Sequence, residues 1–155
     1  MPGYGILPAS QGTGLLPWTW AETRLRDSHD YWVATVWPDG RPHTMPVWGV
    51  WDDGVLWFSS SLGSRKIRNI RAGSDVSMST EDPRNPVVLE GSAEIVTEIP
   101  VIQHFLHLMN AKYDTDYGPD FLDPAKNASV RVRPRWAFGV AEGDFGGSPT
   151  RWELT

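Results

Sequence analysis

The chain has no cysteine, which removes disulfide frameworks, thiolate metal sites and cysteine nucleophiles from consideration. Cations are also in short supply. Fourteen Lys and Arg stand against 19 Asp and Glu, a net charge of −5, and this argues against a general nucleic-acid binder, whose affinity comes largely from cations neutralising phosphates. No stretch approaches the ~20 apolar residues of a membrane span, and no basic segment followed by an apolar run opens the chain. The expectation is a soluble, cytoplasmic protein. What is abundant is aromatic: nine tryptophans in 155 residues suit a sheet-rich core or a site that stacks a flat ligand.

The length fits one domain, expected over residues 18–155, with residues 1–17 a Gly- and Pro-rich N-terminal arm ordered only where a partner surface holds it. Thr19-Trp20-Ala21-Glu22 reads as a capping box, Thr19 the N-cap and Glu22 reaching back, that opens a short helix to about Asp27. The period then changes from helical to alternating. Tyr31–Trp37, Pro42–Trp51 and Val55–Ser59 read as three strands joined by tight turns at Pro38-Asp39-Gly40 and Asp52-Asp53-Gly54, an antiparallel meander. Val76–Thr80 and Val87–Thr97 are further strands, and Gly91 inside the second predicts a bulge or a close backbone approach. Pro100–Tyr113 is patterned as a helix with Val101, Phe105, Leu108 and Met109 on one side. Val130–Arg133 and Trp136–Val140 read as two strands interrupted by Pro134. The Gly-rich stretch 143–148 is a loop before Thr150–Leu154. Six or seven strands with short helices make a mainly β (α+β) fold, an antiparallel barrel with peripheral helices.

The segment Ser59–Ile70 carries the chemistry. It leaves an apolar strand through three serines and Gly63 and enters a short helix bearing Arg65, Lys66 and Arg68. Cations in the first turn of a helix oppose its dipole, whereas an anion docked there between cations and free N–H groups is stabilised. Ser64 is a good N-cap. Arg65 and Lys66, with the hydroxyls of Ser59, Ser60 and Ser64, are the expected phosphate ligands; Ser61 is a weaker candidate. Arg68 either reaches the ligand or points to water, and Asn69 caps or braces the helix.

The ordered set Trp32-Val33-Ala34-Thr35, Asp39-Gly40-Arg41-Pro42, Met45-Pro46-Val47-Trp48, Asp53-Gly54, Leu56-Trp57-Phe58-Ser59, Ser64–Ile70 and Glu90-Gly91-Ser92-Ala93 resembles the pyridoxamine-5′-phosphate-oxidase-like split β-barrel family. More narrowly it is similar to the actinobacterial flavin- and deazaflavin-dependent oxidoreductases, many of which use coenzyme F420. The resemblance covers most of residues 18–97 and resumes at Thr150-Arg151-Trp152. It implies a homodimer with two cofactor sites at the subunit interface, the strand of Met45, Pro46, Val47 and Trp48 along the cofactor ring, and Trp136, Phe138, Arg151 and Trp152 completing the site across the dimer. Pro46 itself belongs at a sheet edge or interruption, because it cannot donate to a ladder.

Hydride transfer between bound coenzyme F420 and a small organic substrate is the function this suggests. FMN is the alternative cofactor; the deazaflavin's phosphate and tail carboxylates suit the longer cationic set that includes Arg68 and Arg71. A carrier or sensor of a flavin, deazaflavin or tetrapyrrole is a second class, and a barrel without cofactor a third. No catalytic side chain stands out. His43, beside the proposed ring strand, is either an acid–base group or a surface histidine. His104 and His107 share a helix face, but no third ligand follows at suggestive spacing, and no metal is expected.

Overall fold

The computed structural model describes residues 4–8, 10–12 and 14–154; the parts of the expected arm at 1–3, 9 and 13, and the last residue, lie outside the described residues. Seven strands, β1 (Asp30–Val36), β2 (Pro42–Asp52), β3 (Val55–Ser61), β4 (Asp75–Thr80), β5 (Val87–Val96), β6 (Asn127–Gly139) and β7 (Thr150–Glu153), accompany the helices α1 (Trp18–Asp27), α2 (Arg65–Ala72) and α3 (Ile99–Tyr113). All pairings are antiparallel in the order β3-β2-β1-β4-β5-β6, and β3 pairs back onto β6 to close a six-stranded barrel. Strand β7 extends the sheet beside residues 136–139 of β6.

Local chemistry sets this meander. Asp53 and Gly54 both take positive φ, 46° and 75°, the two-residue turn whose twist matches antiparallel strands. The first turn is a residue longer: Gly40 takes φ 90°, and the Trp37 N–H donates to the Arg41 carbonyl at 2.8 Å, so the hairpin brings Arg41 back beside Trp37.

Alternating side chains fill the barrel. Tyr31, Val33, Leu56, Phe58, Val76, Met78, Val87, Leu89, Val130 and Val132 meet inside it, with Ala21 and Leu25 of α1 and Ile67 and Ile70 of α2 packed on the same core. A second apolar cluster lies where α3 covers the sheet. There Ile102, Phe105, Leu106 and Met109 pack with Val50, Trp57, Val96 and Leu122; Val101 and Leu108, expected on the buried side, are only partly covered.

Two local expectations need correction. Helix α1 begins at Trp18 with Pro17 as N-cap and no side-chain cap. Thr19 and Glu22 therefore lie inside the helix: the Thr19 carbonyl accepts from Thr23 Oγ1, and Glu22 faces Arg26. The proline starts the helix because its φ is already fixed and its carbonyl accepts from the Trp20 N–H. Pro134, in turn, does not break a strand. Residues 127–139 form one strand because a bulge at this point lets Gly91 pair with Pro134 while Glu90 pairs with Trp136, leaving Arg135 unmatched. A Cβ on Gly91 would lie 2.1 Å from the Arg133 carbonyl oxygen, so the bulge and the close approach predicted at Gly91 are one feature.

Near the N-terminus, the Leu7 N–H donates to the Gly146 carbonyl and the Leu16 N–H to Thr150 Oγ1, each at 2.9 Å. Residues 4–8 thereby run beside the loop that precedes β7. Among the described residues no helix is long and apolar enough to cross a membrane.

Candidate functional site

Strands β2 and β3 separate partway along their length. Their pairing runs only from Asp52↔Val55 to Gly49↔Phe58; beyond it, residues 59–61 pair with Asn127–Ser129 of β6, and residues 42–48 pair with β1 alone. The barrel is therefore split at this point, with one side of residues 42–48 a free edge. Pro46 sits on that edge, where a residue without an N–H belongs.

On the β3 side of the split, side-chain alternation sorts the serines. Ser60 shares the inward parity of Leu56 and Phe58, while Ser59 shares that of Trp57 and turns the other way. Ser60 Oγ–H donates to Ser64 Oγ at 3.0 Å, and Lys66 Nζ donates to Ser60 Oγ at 3.1 Å. Ser64 caps α2 by accepting from the Ile67 N–H at 3.4 Å. Three of the predicted phosphate ligands, Ser60, Ser64 and Lys66, thus converge at the start of α2. Ser59 is not part of this hydrogen-bonded group. Burial lowers the Lys66 pKa from its ordinary value, and among the described residues no carboxylate pairs with this ammonium.

Arg65 projects elsewhere on the helix. Its guanidinium stacks over the Trp37 ring, 3.4 Å from the ring centroid, and Arg41 lies over the same ring at 4.3 Å. Desolvation, then the neighbouring Arg68 and Arg41 charges, lowers the Arg65 pKa. Arg68 is exposed. Asn69 is a brace: its side chain is 1% exposed and its Nδ2 donates to Thr35 Oγ1 of β1 at 3.0 Å, which fixes α2 against the barrel.

The four residues of the expected ring strand do not present one surface. Val47 is buried in the core, so only its backbone is open to a ligand. Pro46 and Trp48 alternate to the outside, and Trp48 stacks on Tyr113 with ring centroids 4.3 Å apart. Met45 is 44% exposed. His43, in register with buried Thr35, keeps a buried Nδ1 without a hydrogen-bond partner among the described residues.

The C-terminal candidates separate in the same way. Trp136, Phe138 and Arg151 line a cavity of about 480 Å³ on the outside of β5, β6 and β7, together with Ile6, Leu7 and Leu15. Arg151 stacks on Trp136 at 4.1 Å. Trp152 points the other way, against Trp18 at 5.5 Å and beside Gly139, in the packing at the barrel's edge. Its inward parity follows from its register with buried Ala137.

Sequence reasoning passed over two groups of residues here. Trp37 and Arg41 belong to the cationic patch, and the tight hairpin that returns Arg41 to Trp37 was the available signal. Lys112 was the other. Its ammonium donates to the Ser28 and Gly49 carbonyls and to Tyr31 Oη, and burial lowers its pKa to about 8. Tyr113 Oη accepts from the Gly49 N–H and donates to the His29 carbonyl, with burial raising its pKa to about 12. These groups tie the end of α3 to β1 and β2, immediately behind Trp48.

Such an arrangement can hold an anion at the start of α2 and lay a flat ring beside an open backbone edge. Residues 21–141 match the family described as pyridoxamine 5′-phosphate oxidase. A solved structure described as an F420 reductase is 32% identical, over 73% of this chain and 91% of that one, with a TM-score of 0.61. A conserved hypothetical protein from Mycobacterium tuberculosis is 25% identical, over 84% of this chain and 88% of that one, with a TM-score of 0.72. General Stress Protein 26 from Bacillus anthracis, at 16% identity, shares the fold over 88% of this chain and 97% of that one with a TM-score of 0.66. No curated protein matches the chain. By its family match and its closed six-stranded barrel, the protein belongs to the pyridoxamine 5′-phosphate oxidase family of flavin-binding split barrels.

Proposed function

We propose that the protein is an oxidoreductase of two identical subunits that binds coenzyme F420, with its phosphate against Ser60, Ser64 and Lys66. The observation that carries this reading is the half-buried Lys66 ammonium, held by a serine hydroxyl at 3.1 Å and lacking a carboxylate partner among the described residues. A desolvated cation without a counter-charge is costly, and a phosphate at the α2 N-terminus removes that cost while accepting from free backbone N–H groups. The 32% identity to the F420 reductase favours the deazaflavin over FMN. Cytoplasm is the compartment in which we place it.

When bound, the deazaflavin supplies hydride chemistry; the chain's part is to bind, orient and exclude water. In this reading the backbone of Met45, Pro46 and Val47, left open along the split, hydrogen-bonds the ring edge. Pro46 and Trp48 present their side chains on the outer face beside it, and Arg65 and Arg68 add positive potential around the phosphate. Ser59 contributes only through its place at the end of β3.

The homodimer draws support from the outer face of the sheet. Trp32, in register with Pro46, is 46% exposed, Val36 54% and Trp48 40%. Small Ala34, Ser77 and Ser79 lie between them and Val88, Phe138 and Trp136 on the same face. So broad an apolar face is characteristic of a surface covered by another protein, and a second copy covering it would bring its own Trp136 and Arg151 to the site. Trp152, turned into its own barrel, takes no direct part.

A side-by-side titration of the chain with coenzyme F420 and FMN, followed by fluorescence, tests the reading. Saturable binding of coenzyme F420, tighter than that of FMN and weakened in Lys66→Ala, is the expected result. Tighter FMN binding would replace the cofactor; binding of neither, with no thermal protection by either, would overturn the proposal.

A further inference from the structure

Strand β2 changes neighbours at Gly49. Residues 42–48 pair only with β1 and residues 49–52 only with β3, so the strand passes from one ladder to the other at this residue. The path it takes there aims the open edge. The β1–β2 ladder ends at Asp30↔Trp48, and the rung that would follow, between His29 and Gly49, is closed by a side chain. Tyr113 Oη accepts from the Gly49 N–H at 2.8 Å and donates to the His29 carbonyl at 2.6 Å.

The Gly49 carbonyl is held by the preceding residue of α3. Lys112 Nζ donates to it at 2.8 Å, and also to the Ser28 carbonyl and to Tyr31 Oη. Both backbone polar groups of the crossover residue are thus held from α3. The crossover is also packed: a Cβ on Gly49 would fall 2.7 Å from the Trp57 carbonyl oxygen and 3.0 Å from the Tyr31 ring.

Lys112 is an unusual choice of donor. Among the described residues no carboxylate forms an ion pair with it; Asp30, Glu81 and Asp27 act on it only from farther off. Its charge rests on the two carbonyls and on the rings of Tyr31 and Tyr113, at 4.6 and 5.3 Å. A desolvated cation without a counter-charge opposes folding, so its presence is better explained by what it holds. The pair also sets the side chain beside the crossover. Trp48 lies flat on Tyr113, ring centroids 4.3 Å apart and 6° between planes, and His29 stands edge-on to both, at 6.1 and 5.1 Å.

We propose that Lys112 and Tyr113 are positioning residues for the cofactor ring: from α3, and without touching the ligand, they fix the path of β2 through Gly49, and with it the open edge and the plane of Trp48. The proposal rests on the reading of residues 45–47 as the edge that receives the ring. The phosphate is held by other elements, β3 and α2, so the two ends of the ligand should respond differently.

The test uses coenzyme F420, whose ring reports on the edge, and inorganic phosphate as its competitor, which reports on the start of α2. Tyr113→Phe keeps the stack on Trp48 and deletes the hydroxyl rung. It should weaken coenzyme F420 roughly three- to tenfold, move the absorption maximum of the bound ring toward that of free cofactor, and speed hydrogen exchange of the Gly49 amide. The inhibition constant of inorganic phosphate should change less than twofold. Lys112→Met removes the other donor, keeps the stem against the Tyr31 ring and should act alike. Thermal unfolding establishes the fold of each variant, and either one alone decides the matter. Equal weakening of the two probes, or an unchanged affinity and ring spectrum for coenzyme F420, would overturn the proposal while leaving the phosphate site standing. Loss of the fold in both variants would make the pair structural and overturn it as well. Failure of the wild type to bind coenzyme F420 would instead remove the ring-edge reading on which it rests.

Discussion

Removing the Lys66 ammonium is the sharpest perturbation of the phosphate site. In Lys66→Ala the phosphate loses a cation held at 3.1 Å from Ser60 Oγ, while the cap from Ser64 to the Ile67 N–H stays in place. Two unit charges ~4 Å apart at an effective dielectric of ~20 attract by about 4 kcal/mol. Part of this is offset by stripping water from both groups, leaving roughly 1.5–3 kcal/mol for a charge-assisted hydrogen bond. That corresponds to a roughly ten- to 150-fold rise in Kd. Isothermal titration of the preferred cofactor at low and moderate salt measures it, and thermal unfolding of the free variant provides the control. The unliganded protein should lose no stability, because Lys66 carries a desolvated charge with no carboxylate partner among the described residues. A less than twofold change in Kd with an unchanged fold would refute the assignment.

Three other outcomes follow from the packing and charges. Gly91→Ala forces a Cβ to within 2.1 Å of the Arg133 carbonyl oxygen and should cost about 3 kcal/mol, read as a fall in Tm of roughly 6–12 °C for a chain of this size. Lys112 has a folded pKa of about 8 against an ordinary value of about 10.4, so the unfolded chain binds more protons between them; its contribution is complete above about pH 10.5 and lost as pH falls through 8. Urea unfolding should accordingly show wild-type stability rising relative to Lys112→Met by about 1–2 kcal/mol between pH 7 and 10, after allowing for solvent screening of this partly exposed group; a constant gap contradicts it. Trp32→Glu puts a charge in the middle of the apolar outer face and should convert a dimer to monomers in sedimentation velocity, with Lys66-side phosphate binding weakened but not abolished; an undiminished dimer removes this face as the interface.

The barrel was largely legible because its cues are local. Asp53-Gly54 dictates one hairpin, and the alternation of Tyr31, Val33 and Thr35 against Trp32, Ala34 and Val36 marks one face as interior. The cues at Pro134 and Thr19 misled for a shared reason: each residue's intrinsic preference was overridden by a neighbour, the bulge opposite Gly91 in one case and Pro17 in the other. At the site, Ser64, Arg65 and Lys66 were readable from helix-end electrostatics, and the edge position of Pro46 from its missing N–H. The partnership of Trp37 with Arg65 was not, because 28 positions separate them in the chain and only the closed hairpin and the seating of α2 by Asn69 bring them together. Trp152 shows the converse. Its neighbour Arg151 lines the outer cavity, but successive residues of a strand face opposite ways, so the pair could not act as one unit.

A crystal structure of the chain with coenzyme F420 would show directly whether the cofactor phosphate sits at the start of α2. Phosphate oxygens are expected within hydrogen-bond distance of Lys66 Nζ, Ser60 Oγ or Ser64 Oγ and of the first N–H groups of α2, with the ring along the open edge of residues 45–47. A phosphate located instead in the cavity beside Arg151 of the same subunit, with Lys66 still bound only to Ser60, would contradict it.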